Sequence, residues 1–100
     1  MRQMHIKLAS QDWRVKFRKN LKSAAGEPVM GLTDYTTNTI WINSDYSDEE
    51  QRSTLLHEVI HVGYAYYGIE VKGRDESVFG FERYLYSFLK DNHGHPLLPR

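Results

Sequence analysis

Polar and apolar residues alternate over residues 13–18. Trp13, Val15 and Phe17 fall on one side, and Arg14, Lys16 and Arg18 on the other. Successive side chains of a strand point to opposite faces, so this run predicts a half-buried strand. A shorter alternation over residues 5–8 sets Ile6 and Leu8 against His5 and Lys7 and predicts a second strand. The turn-forming Ser10-Gln11-Asp12 between them predicts a hairpin. After a connection over residues 22–28 that contains Ser23, Gly26 and Pro28, two more strands are expected around the polar turn Thr36-Thr37-Asn38. One covers residues 29–35. The other is Thr39-Ile40-Trp41-Ile42-Asn43, whose β-branched and aromatic residues suit a pleated surface.

The period then becomes helical. Ser47 with Glu50 three residues on is a capping box, and Asp48, Glu49 and Glu50 put negative charge at the positive end of the helix dipole. The helix is expected to reach about Tyr67, with Gly68 as its C-cap. Leu55, Leu56, Val59, Ile60, Val62 and Tyr66 make a broad apolar side. Thr54, His57, Glu58, His61 and Ala65 form a stripe beside it. A loop over residues 69–74, hinged at Gly73, leads to a second helix from about Asp75 to Asp91. Its core stripe is read as Val78, Phe81, Leu85, Phe88 and Leu89, with Tyr84 and Tyr86 flanking it. The segment 93–100 is expected to be a weakly ordered tail. The fold class that follows is α+β: one domain over residues 1–100, with a small three- to four-stranded sheet packed on two helices.

Composition narrows the chemistry. Thirteen Lys+Arg balance thirteen Asp+Glu, so the chain has no bulk attraction for nucleic acid or an anionic membrane. The basic strand face of Arg14, Lys16 and Arg18, continued by Lys19 and Lys22, is read as a solvated sheet face, and no nucleic acid is expected as a partner. The chain has no cysteine, which excludes disulfides and thiolate-ligated zinc and leaves histidine and carboxylate as metal donors. Residues 1–10 hold no long apolar run, and no stretch reaches membrane-spanning length. A cytoplasmic location is the expectation.

Against this background one motif stands out: His57-Glu58-Val59-Ile60-His61. Residues four apart on a helix share a face, so His57 and His61 can present imidazole nitrogens to one ion, and Glu58 beside them can serve as general base. Catalytic zinc keeps three protein ligands, so a third donor is required. Glu76, in the first turn of the second helix, is the first choice. Asp75 is the alternative, and Glu82 ranks behind both because it lies deeper in the helix. Gly80, one turn after Glu76, would leave space near a metal. His93 and His95 form a second His-x-His pair in the tail and are read as an exposed, adventitious pair.

The run Thr39-Ile40-Trp41-Ile42-Asn43, then Ser47-Asp48-Glu49-Glu50, then Thr54-Leu55-Leu56-His57-Glu58-Val59-Ile60-His61 resembles the strand-plus-helix block of small bacterial and phage HExxH metallopeptidases, including ImmA/IrrE-like proteins and the minimal gluzincins. The likeness covers about residues 29–92. It implies a zincin-like architecture with one zinc ion, His57 and His61 as ligands, Glu58 as general base and a downstream helical glutamate, Glu76, as third ligand. The implied activity is hydrolysis of a peptide bond in a peptide or protein substrate. Arg83 or Tyr84 is a candidate second donor to the oxyanion. The strand Thr39–Asn43, if it lies at a sheet edge, would pair with an extended substrate. The competing reading is a zinc-binding, non-proteolytic protein whose metal clips two helices together and whose surface binds a partner.

Overall fold

A computed structural model describes residues 3–67 and 74–91; for residues 74–77, 84, 87, 88 and 91 it describes the backbone. The elements are β1 (Gln3–Leu8), β2 (Gln11–Arg18), β3 (Gly31–Asp34), β4 (Thr39–Asn43), α1 (Asp48–Tyr66) and α2 (Arg74–Asp91). The architecture is α+β, as the periodicities predict. Gly68, the loop centred on Gly73, and the tail with His93 and His95 lie outside the described residues.

The four strands form one mixed sheet in the order β1-β2-β4-β3. β1 and β2 are the expected hairpin, antiparallel with Ile6 opposite Trp13. Their turn is Ala9-Ser10, at φ 50° and 64°, one step earlier than the polar residues of the sequence suggest. Positive φ at both central positions is the type I′ geometry, whose twist matches that of the flanking strands. β3 and β4 pair antiparallel, whereas β2 and β4 run parallel. The parallel pairing arises because residues 19–30 carry the chain past the place of β4, so that β3 lies at the far edge and β4 returns between it and β2. Asn20 at φ 53° and Gly26 at φ 83° take the bends. Consequently Thr39–Asn43 is not an edge strand: β4 is enclosed by β2 and β3, and the edge beside the motif helix is β3.

Register sets the core. Val15 opposes Ile40 and Phe17 opposes Ile42, so the apolar residues of two strands meet on one face. Val15, Ile40 and Ile42 are completely buried. Each such side chain stabilises the fold by about 1.5–3 kcal/mol relative to exposure. α1 lies on this face through Val62, Leu55 and Val59. Trp13 closes one end, edge-on to Tyr35 and Tyr66. The opposite sheet face carries the cations. Lys16 Nζ and Arg18 Cζ lie 5.5 and 4.7 Å from the Trp41 ring centre and cover that aromatic.

α1 begins as the sequence requires. Ser47 Oγ accepts from the Glu50 N–H at 3.2 Å, and Glu50 Oε2 accepts from the Ser47 N–H at 3.3 Å. Asn43, nearly buried, ties the end of β4 to its surroundings: its Nδ2 donates to Val29 O at 3.0 Å, and its Oδ1 accepts from the Asp45 N–H at 3.0 Å. Val29 and Met30 are therefore held beside the sheet but outside β3, which is shorter than the expected 29–35.

α2 packs against α1. Lys90 meets Glu49, Glu82 meets Ser53, and Phe79 meets His57, so the two helices run antiparallel. The core stripe of α2 is rotated from the sequence expectation. Val78 is fully buried and Glu82 is 7% exposed, whereas Phe81 and Leu89 are 48% and 46% exposed. Val78 and Glu82 are four apart and share one face. That face, rather than the one through Phe81, meets α1. Among the described residues no helix is long and apolar enough to cross a membrane.

Candidate metal centre

The site is built on one stripe of α1. Four-residue spacing stacks the imidazoles of His57 and His61 one turn apart, with ring centres 4.7 Å apart. Their Nε2 atoms face each other at 3.1 Å. Two nitrogens bound tetrahedrally to one zinc ion at about 2.0–2.1 Å stand about 3.3 Å apart, so this spacing fits a shared ion. One ligand atom from each of His57, Glu58 and His61 falls within 4.8 Å of the others. All three residues are half-buried, which keeps one side of the group open.

Glu58 and His57 are fixed from two different elements. Thr33 Oγ1, on β3, donates to Glu58 Oε1 at 2.9 Å. His57 Nδ1 lies 2.8 Å from Glu82 Oε2, on α2. Ser53 Oγ donates to the other oxygen of that carboxylate, Oε1, at 2.5 Å. The Phe79 ring lies 4.6 Å from the His57 ring, centre to centre, tilted by 41°. A cleft of about 410 Å³ opens onto His57 and Glu58, walled by Met30 and Gly31 on one side and Phe79 and Glu82 on the other.

Gly31 is where β3 comes closest to α1. A Cβ there would stand 2.7 Å from Thr54 Cγ2, 3.2 Å from the Trp41 carbonyl oxygen and 3.3 Å from Glu58 Cγ. Glycine lets the strand lie directly on the motif helix. Thr54, on the motif stripe, is buried by that approach.

The structure thus brings together His57, Glu58 and His61. Glu76 and Asp75 fall in the first turn of α2, with their side chains outside the described residues. A Cβ at Gly80 would meet nothing within 4 Å; Gly80 is exposed and is not among the residues that wall the cleft. Arg83 is exposed and lines a neighbouring groove with Glu49 and Lys90, so it is not part of the cleft wall. The Tyr84 side chain is outside the described residues. Sequence reasoning ranked Glu82 last among the carboxylates and did not single out Thr33. That ranking rested on depth along the helix, yet the antiparallel seam brings Glu82 to Ser53 and His57. Its four-residue spacing from Val78, a member of the expected core stripe, was the signal that could have pointed it inward.

A His-Glu-x-x-His helix laid across a small mixed sheet, with an edge strand beside the glutamate, defines a small zincin-like domain. The model of the Peptidase_M78 family, described as the IrrE N-terminal-like domain, matches residues 11–84. The chain belongs to this metallopeptidase family, whose members act on peptide or protein substrates and depend on a metal. No curated protein and no solved structure matches it.

Proposed function

We propose that the protein is a zinc-dependent peptidase in which His57, His61 and Glu76 hold the metal and Glu58 is the general base. The observation that carries this reading is the convergence of His57 Nε2, His61 Nε2 and the Glu58 carboxylate beside an open cleft. Glu76 is supported by the need for a third donor and by its place in the first turn of α2. Zinc is the metal proposed because two histidines and a glutamate are a donor set of catalytic zinc sites.

The metal, when bound, supplies Lewis acidity, which makes a water a better nucleophile and polarises a peptide carbonyl. Glu58 takes the proton of the attacking water and returns it to the leaving amine. Thr33 occupies Glu58 Oε1, which leaves Oε2 for that proton. Among the described residues β3 pairs with β4 along one edge and with no strand along the other. Its other edge presents backbone groups to an extended substrate, the role the sequence had offered to β4.

The test is a peptide-library cleavage assay on zinc-loaded protein. Wild type is expected to cleave and Glu58→Gln to keep its zinc while losing turnover. Full activity in Glu58→Gln would remove the general base from the reading. Stoichiometric zinc with no cleavage by wild type would favour the non-proteolytic role.

A further inference from the structure

We propose that Glu82 is a positioning residue for His57, fixing the imidazole as the Nδ1–H tautomer so that the Nε2 lone pair is always offered to the metal. The inference rests on the metal reading above and adds a residue to it.

Glu82 is buried, with its side chain 9% exposed. A carboxylate removed from water needs a partner for each oxygen. Both oxygens have one: Ser53 Oγ donates to Oε1, and His57 Nδ1 faces Oε2. A carboxylate oxygen only accepts, so the proton of a neutral His57 resides on Nδ1. With Glu82 ionised and His57 neutral the tautomer follows, and Nε2, which faces His61, carries the lone pair.

The same geometry separates Glu82 from the ligands. It sits at the Nδ1 edge of the ring, whereas His61 sits at the Nε2 edge. The two ring nitrogens point in divergent directions. Glu82 therefore cannot share an ion with His57 Nε2 while it holds Nδ1. Phe79, three residues before Glu82 on α2, lies against the face of the same ring. Together they bracket His57 on its Nδ1 edge and one face, and α2 becomes the element that aims the first histidine of the motif. Ser53, one turn before His57 on α1, holds the carboxylate from its other side.

The test has two readouts. Long-range proton–nitrogen NMR of the histidine side chains in metal-free protein reports the tautomer. Chelator competition reports zinc affinity. Wild type is expected to show His57 protonated at Nδ1. Glu82→Ala is expected to mix the two tautomers and to weaken zinc binding by about 10–100-fold. Glu82→Gln is the decisive variant, because its amide oxygen still accepts from Nδ1–H and its NH2 can donate to Ser53. It should hold the wild-type tautomer and recover most of the affinity. Equal losses in Glu82→Gln and Glu82→Ala would overturn the proposal in favour of direct coordination by the carboxylate. A wild-type proton on Nε2, or unchanged affinity in folded Glu82→Ala, would also overturn it. Failure of wild type to take up zinc with the Nδ1–H signal present would sink the metal reading while supporting the tautomer assignment.

Discussion

Thr33 on the edge strand donates a hydrogen bond to Glu58 on the motif helix, Oγ1 to Oε1, at 2.9 Å. A carboxylate that must accept and release a proton is useful only if one oxygen stays aimed at the substrate. The contact supplies that aim from an element the substrate itself is proposed to touch. Thr33→Val keeps the β-branched shape and removes the donor. A hydrogen bond to a charged group contributes about 1.5 kcal/mol or more, which corresponds to about a tenfold fall in kcat. KM and zinc content should change little. Steady-state kinetics beside metal analysis checks this, and an unchanged kcat would show that Glu58 needs no support from β3.

Gly31→Ala should destabilise the fold. The added methyl would stand 2.7 Å from Thr54 Cγ2 and press on the Trp41 carbonyl and Glu58. Overpacking of this kind costs about 1–3 kcal/mol, read as a lower denaturant midpoint. Thr54→Ser removes the offending Cγ2, so the double variant should regain part of the loss. No recovery would place the strain on the backbone contact with Trp41 instead.

Ser10→Gly should stabilise it. Ser10 sits at φ 64° and Ala9 at φ 50° in the β1–β2 turn, a conformation that residues with a Cβ adopt at a cost. Glycine removes that cost but loses more entropy on folding, so the expected net gain is about 0.5–1 kcal/mol. Urea denaturation of the two proteins measures it, and a lower midpoint for the glycine variant would contradict the turn geometry.

Metal should stabilise the protein through His57 and His61. Ligand that binds only the native state adds about 2.7 kcal/mol at a hundredfold excess over Kd. Zinc is therefore expected to raise Tm and a chelator to reverse the rise. His57→Ala should abolish the shift, and its persistence would place the ion elsewhere.

The strands, the first helix and the motif could be read from the chain because each depends on neighbours within a turn or two. The alternation of Trp13, Val15 and Phe17 marked the buried face of β2, and β4 runs over Thr39–Asn43 as expected. The Ser47–Glu50 box marked the start of α1, and four-residue spacing put His57 and His61 on one face. Period, capping and helix geometry are local, so the sequence by itself determined them.

The tertiary structure alone decided what surrounds the motif. Strand order made β4 an inner strand and β3 the edge, because a parallel β2–β4 pair and a second hairpin share the same local pattern as a simple meander. The phase of α2 was decided by the seam it forms with α1, which buries Val78 and Glu82 and leaves Phe81 in solvent. Apolar spacing permits more than one phase on a short helix, and packing selects among them. Thr33–Glu58 and Glu82–His57 each join residues 25 apart in the chain. No periodicity links such pairs; they meet only once sheet, helix and helix have taken their places.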